Sequence, residues 1–300
     1  MSAPAPRENR VLAGVLTMAL AVIFFTCIDT SAKWLSIAGI PVLQIVFARY
    51  AGHFIYALAI YLPQEGRGVF HSNAPTKQIL RSCALFIGTI MNFQALKFLP
   101  ITVTTTISFA GPIVITLMAI PILGEKVGLR RIIAVCVGFL GVLIVIQPWG
   151  AEFHPAMILS LGTLLMASTY FIMTRLLAGI ETNATQQVWS SGIATVALAP
   201  FALNVWVWPQ TPLAWVILCI IGGFGALGHI AATTAHRWAD ASILAPIIYT
   251  QVFWAALVGI VIFSTYPTIW TLAGAAIIIA SGLYIWQRER QKGKRPVLPE

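Results

Sequence analysis

Apolar residues run through this chain in ten stretches, each roughly 18–24 residues long and almost free of charge, with short polar gaps between them. About 20 apolar residues cross the roughly 30 Å hydrocarbon core of a bilayer as a helix, because only a helix satisfies each backbone N–H and C=O without water. The pattern predicts spans at 11–33, 41–62, 77–97, 101–123, 129–147, 154–177, 184–207, 212–236, 242–264 and 267–287. The expected class is an all-α integral membrane protein. No gap is long enough for a soluble domain, so the work is expected inside the membrane.

The polar gaps also carry an orientation. Of the 18 Lys and Arg, fifteen fall in segments on the side of the N-terminus, only Lys33 and Lys97 fall on the other, and Arg49 lies within a span. Positive residues near span ends are retained in the cytoplasm, so both termini are expected there. A net charge of +9 is accounted for by this bias and by contact with anionic headgroups of the lipid bilayer, so no nucleic-acid partner is expected. The basic tail Arg288–Arg295 reads as juxtamembrane. Cys27, Cys83, Cys136 and Cys219 all lie in spans as small apolar residues, and neither a disulfide nor a metal site is expected. The first ten residues are too short and polar for a signal peptide, so the first helix is expected to direct insertion. The triplet Asn183-Ala-Thr185 matches a glycosylation acceptor but falls on the cytoplasmic side.

Sliding the chain against itself by 140 residues places Ala95-Leu-Lys-Phe-Leu-Pro-Ile-Thr102 over Ala235-His-Arg-Trp-Ala-Asp-Ala-Ser242, and Gly88 over Gly228. A two-residue adjustment places Lys33 over Arg175. Residues 1–150 and 151–300 therefore read as two copies of a five-helix unit. Five is odd, so the second copy enters the membrane from the opposite side. Inverted repeats of this kind are a mark of secondary transporters, where two halves exchange conformations around a midplane site.

Phe47-Ala-Arg-Tyr50, Ala95-Leu-Lys-Phe-Leu-Pro100, Pro121-Ile-Leu-Gly-Glu-Lys126 and Ser281-Gly-Leu-Tyr284 together resemble the EamA-type transporters of the drug/metabolite transporter superfamily. The resemblance covers essentially the whole chain. It implies a ten-helix carrier with a central cavity that moves one small organic metabolite across a bacterial inner membrane without hydrolysing ATP. Family substrates include amino acids, sugars, riboflavin and S-adenosylmethionine, and the riboflavin importers are the group this chain is taken to resemble most. The second copy has Ser264-Thr265 where the family often has Gly-Glu.

Ionisable groups within spans are costly and usually face a protein interior or a wet cavity. Asp29 and Lys33, spaced i,i+4, and Arg49, one turn from His53, are candidates for gating or proton coupling, with an Asp29–Arg49 or an Asp29–Lys33 pair closing the outer mouth or carrying a proton; a structural ion pair, or outward snorkelling of Lys33 and Arg49, is the bland alternative. Thr105 and Ser108 lie in a hydroxyl-rich run ending at Gly111-Pro112, where proline interrupts the helix ladder. The matching break, Ala245-Pro246, precedes Tyr249, Gln251 and Trp254. Paired interruptions in corresponding helices point to a carrier's binding site. Asn92, Tyr170, Gln187 and Trp189 complete the candidate substrate contacts, and His229, beside Gly222-Gly-Phe-Gly225, is a candidate ligand or proton carrier. Hydroxyls also bond to their own helix, and a lone histidine is commonly a packing residue. Trp149, Trp206 and Trp208 sit at span ends, where interfacial belts place Trp.

A pocket of aromatics, amides and hydroxyls with few charges suits a neutral or zwitterionic, partly planar solute. Riboflavin uptake is the specific expectation, export of amino acids or related metabolites the alternative. A membrane-embedded enzyme would need a nucleophile–base pair or a metal cluster, and the sequence has no His-Glu-x-x-His, no Gly-x-Ser-x-Gly and no facing pair of Asp. A noncatalytic assembly partner would leave the repeat unexplained. No cofactor is expected. Small-residue motifs such as Gly138-x-x-Gly141 pack helices within one chain or between two, so a homodimer stays open.

Overall fold

The computed structural model describes residues 10–123, 128–150, 153–177, 179–239 and 241–293. The leader before Arg10, Gly124-Glu125-Lys126 and Lys294-Arg295 of the tail lie outside the described residues. Twelve α-helices run in chain order: α1 (Val11–Ile37), α2 (Val42–Glu65), α3 (Pro75–Phe98), α4 (Ile101–Ser108), α5 (Gly111–Leu123), α6 (Leu129–Ile146), α7 (Ala156–Leu177), α8 (Asn183–Asn204), α9 (Pro212–Trp238), α10 (Ala241–Ile248), α11 (Gln251–Phe263) and α12 (Ile269–Gly293).

Local chemistry sets the ends. Pro75 and Pro212 open α3 and α9 at positions whose N–H would be unpaired in any case, and the Thr182 and Thr211 hydroxyls accept from the backbone N–H of Thr185 and Ala214. Beyond α1 and α7, Gly39 and Gly179 have φ of +85° and +80°, a conformation in which glycine carries no steric cost.

Two of the predicted spans are each split into two helices. The first break lies at Phe109-Ala110, just ahead of Gly111-Pro112. The second lies at Tyr249-Thr250, three residues beyond Pro246, which stays inside α10. Tighter i→i−3 bonds carry the chain across both, from Ala110 N–H to Ile107 O at 3.1 Å and from Thr250 N–H to Ile247 O at 3.0 Å. With α4/α5 and α10/α11 each counted as one broken rod, the ten predicted stretches correspond to ten rods. Eight helical segments are long and apolar enough to cross a membrane. The apolar part of α6 is only Ile132–Ile146. The more polar α8 buries Thr185, Gln187, Ser190 and Ser191 against its neighbours.

Packing follows the repeat. The pair α1 with α9 is matched by α3 with α7, and α2 with α9 by α3 with α8; α2 with α8, and α6 with α12, join equivalent helices of the two halves. At the α2–α9 crossing a Cβ on Gly52 would stand 2.9 Å from Gly222 Cα, so two glycines let the backbones meet. Gly14 near the start of α1 packs on Ala235 and Ala239 at the end of α9, which puts the end of α9 on the face where the chain enters α1. That face, where α1 starts and α12 ends, is called the terminal face below.

Candidate substrate site

A cavity of about 160 Å³ opens among α1, α2 and α3 of the first repeat and α7 of the second. Asp29 is brought there by α1, Arg49 by α2, Thr89 and Asn92 by α3, and Thr163 by α7, with Phe25 and Phe93 supplying aromatic wall. Asn92 Nδ2 donates to Asp29 Oδ1 at 2.9 Å. Arg49 is 6% exposed, and its Nε and Nη1 have no hydrogen-bond partner among the described residues; its guanidinium lies 4.5 Å from the Tyr50 ring centre. An unpaired buried cation costs several kcal/mol, of order 3–5, relative to a paired one. Snorkelling is therefore overturned for Arg49 and for Lys33, which is also 6% exposed.

The Asp29–Lys33 pair that i,i+4 spacing allows is not made. Lys33 Nζ turns to the end of α3 and donates to Leu96 O at 3.0 Å and Leu99 O at 2.6 Å. Carbonyls in a last helical turn have no partner of their own, and their dipole favours a cation, so they outcompete a carboxylate already held by Asn92.

Behind the cavity sits a second polar group. The His53 and His229 rings stack at 5.5 Å, and His229 meets Phe25 edge-on at 5.4 Å. Arg49 and His53, one turn apart on α2, thus meet His229 of α9 on one side and Asp29 and Asn92 across the cavity on the other, while Gln187 is buried on α8.

Other candidates lie elsewhere. Tyr249 and Ser108 line a second cavity, about 380 Å³, with Thr116, Phe171, Arg175 and Trp286. The Tyr249 ring meets Phe109 edge-on at 5.1 Å, so the two helix breaks touch, and the Tyr249 hydroxyl abuts Gly282. Thr163 and Ala167 of the first cavity and Phe171 and Arg175 of the second recur every four residues along α7, so one face of one helix lines both. Thr105 has a buried hydroxyl without a partner beside the first break. Gln251 and Trp254 open α11 and are not among the lining residues of either cavity. Trp189 Nε1 donates to Phe70 O at 3.2 Å, a rim position away from the first cavity.

Tyr170 is engaged by a residue the sequence reading counted only as a loop charge. Arg81, 3% exposed, donates from Nη2 to Tyr170 Oη at 2.8 Å, from Nε to Thr174 Oγ1 at 2.7 Å, and from Nη1 to Ser190 Oγ at 2.6 Å and Gln186 O at 3.1 Å. It binds α3 to α7 and α8. Its position a turn and a half inside α3 was the available signal, and the charge tally masked it. Gly39 and Gly179 share a positive φ 140 positions apart, and in that register Met173, not Arg175, lies under Lys33 at the end of the helix.

Ten helical rods, paired breaks and a polar cavity between repeats are the architecture expected of a multi-pass membrane transporter. The sequence pattern of the EamA-like transporter family matches residues 12–147 and again 154–287, and the chain belongs to that family. It is 28% identical over 294 residues to a riboflavin transporter of Vibrio cholerae, covering 96% of this chain and 97% of that one. It is 26% identical to an S-adenosylmethionine uptake transporter of Rickettsia bellii (93% and 94% covered). A pseudopaline exporter of Pseudomonas aeruginosa is also 26% identical (89% and 94%). A crystal structure with 16% sequence identity superposes with a TM-score of 0.61 over 97% of this chain and all of the other, and so shares the fold.

Proposed function

We propose that the chain imports riboflavin across the bacterial inner membrane by alternating access, with inverted repeats, both termini cytoplasmic and the Asp29–Asn92–Arg49 cavity as the substrate site. One observation carries the reading: a buried arginine with free N–H donors faces a carboxylate and an amide in a cavity between the two repeats. The pyrimidine edge of an isoalloxazine presents acceptor, donor, acceptor. Arg49 can donate to the first, Asp29 accept from the second and Asn92 donate to the third, while Phe25 and Phe93 offer ring faces. Riboflavin transporters among the relatives support the same choice.

A second reading has its own support. Asp29 and Arg49 are opposite charges flanking one cavity, which also suits an α-amino-acid group, its carboxylate on Arg49 and its ammonium on Asp29. S-adenosylmethionine transporters are relatives of similar identity. Uptake of labelled riboflavin and of labelled S-adenosylmethionine into proteoliposomes, each challenged with the other unlabelled, separates the two. Saturable riboflavin entry that tenfold excess S-adenosylmethionine does not reduce supports the first; entry of S-adenosylmethionine alone overturns it in favour of the second.

A further inference from the structure

We infer that Lys33 is a one-sided latch: it holds shut the mouth opposite the terminal face, and among the described residues the position equivalent to it in the second repeat carries no cation to hold the mouth at the terminal face. The inference rests on the carrier reading for its meaning in a transport cycle, but not for its geometry. The first observation is the contact itself. Lys33 Nζ, buried near the end of α1, bridges two carbonyls in the last turn of α3, Leu96 O and Leu99 O, and lies 5.5 Å from the Phe263 ring at the end of α11. Three rods from both repeats are thereby gathered at one face.

The second observation is what the other repeat does at the equivalent place. The ends of α3 and α9 are built alike. Leu99 and Ala239 are both extended, with ψ of 152°, and each donates its N–H four residues back, to Ala95 O and Ala235 O, at 2.9 Å. The carbonyls equivalent to those of Leu96 and Leu99 belong to His236 and Ala239. The residue equivalent to Lys33 is Met173, which has no donor to offer them.

The packing shows the same inequality. Within the first repeat α1 packs on α2 and α3, and α2 on α3. The corresponding pairs among α7, α8 and α9 are not comparably packed among the described residues. The first trio is drawn together at the mouth that Lys33 closes; the second is apart. If the repeats exchange conformations, the alternate state has α7 drawn to α9 and α1 parted from α3, and Lys33 must give up both carbonyls for water. Only one state then enjoys a charge-assisted pair of hydrogen bonds, so the resting carrier is biased toward the state open at the terminal face.

The test is cysteine accessibility. Thr89, which lines the cavity, is replaced by Cys in a chain whose four native cysteines are Ala. Labelling by a membrane-impermeant maleimide is then timed from the face opposite the termini and from the terminal face, using intact cells and inverted vesicles. Lys33→Met, which installs the residue of the other repeat, is expected to raise labelling from the opposite face about tenfold. Met173→Lys supplies the missing latch to the α9 carbonyls and is expected to shift labelling in the same direction through the other mouth. Lys33→Arg, which keeps the cation and its donors, is expected to label at close to the parent rate. Parent-like labelling in both Lys33→Met and Met173→Lys, in chains that are inserted and monodisperse, overturns the latch; a poorly inserted Lys33→Met leaves Met173→Lys to decide. The labelling needs no substrate. A latch that behaves as expected in a chain that moves nothing refutes the carrier reading alone.

Discussion

Two buried arginines, 32 positions apart, differ in what surrounds them, and the difference separates function from stability. Arg81 is satisfied by four acceptors on two neighbouring helices, whereas Arg49 keeps two N–H groups unpaired beside the cavity. Removing Arg81 leaves the Tyr170, Thr174 and Ser190 hydroxyls short of a donor, so Arg81→Met is expected to destabilise by about 2–4 kcal/mol. Removing Arg49 instead relieves a buried unpaired charge, and Arg49→Met is expected to stabilise by about 1–3 kcal/mol while abolishing saturable uptake. Thermal unfolding in detergent beside proteoliposome uptake checks both signs; an Arg49→Met chain that unfolds earlier than the parent contradicts the assignment of Arg49 as a substrate donor held in reserve. Asp29→Asn keeps its partner Asn92 but loses the charge, and uptake is expected to fall at least tenfold with normal insertion. The sequence made Asp29, Arg49 and His53 visible because charges within apolar runs stand out. It hid Arg81, whose place near a span end counted toward orientation, and it offered Lys33 only Asp29 as one of two alternative pairs, because i,i+4 spacing says nothing of carbonyls on another helix.

At the scale of elements, the broken rods matter most. Proline announced both breaks, yet neither falls at its proline: the chain leaves the helix at Phe109-Ala110, before Pro112, and at Tyr249-Thr250, after Pro246. Proline forbids one hydrogen bond, but tertiary packing decides which turn opens. Here the packing is the Phe109–Tyr249 contact between the two breaks, with Gly282 of α12 giving the Tyr249 hydroxyl its place. A methyl group at Gly282 would overlap that hydroxyl, so Gly282→Ala is expected to displace Tyr249 and cut uptake strongly, about tenfold, at a stability cost of about 1–3 kcal/mol. Uptake by Gly282→Ala/Tyr249→Phe, which removes the overlapping oxygen, is expected to recover most of the loss. If the double variant is no better than the single, the hydroxyl is not what the glycine accommodates. None of this was readable from the chain, since nothing in sequence spacing brings residue 249 to residue 282 or to residue 109.

Across the whole molecule, the ten rods and the repeat were legible because bilayer thickness fixes span length and because the two copies keep Gly88 and Gly228, Ala95 and Ala235 in register. Which contacts would move in the proposed cycle was not legible, since the two conformations that cycle requires share one sequence. Two polar clasps join the repeats, and the Lys33 bridge ties α1 to α3 within the first. Gln44 exchanges two hydrogen bonds with Val207, at 2.9 Å each, and Glu181 accepts from Ser72 Oγ at 2.6 Å and Ala74 N–H at 2.9 Å. The two clasps join corresponding elements, one the first turn of α2 to the gap before α9 and the other the gap before α8 to that before α3, so exchanging the two halves maps one pair of elements onto the other. Among the described residues the Lys33 bridge has no counterpart from Met173, the equivalent position. A link present at both mouths favours neither state, and a link present at one mouth must break when that mouth opens. Covalent cross-linking of cysteines at 44 and 207 is therefore expected to leave more than half of the uptake, whereas cross-linking 33 to 99 is expected to abolish it, with reduction restoring transport in both. Equal inhibition by the two cross-links would mean that the clasps also move, and that the repeats separate as whole bodies instead of rocking about fixed clasps.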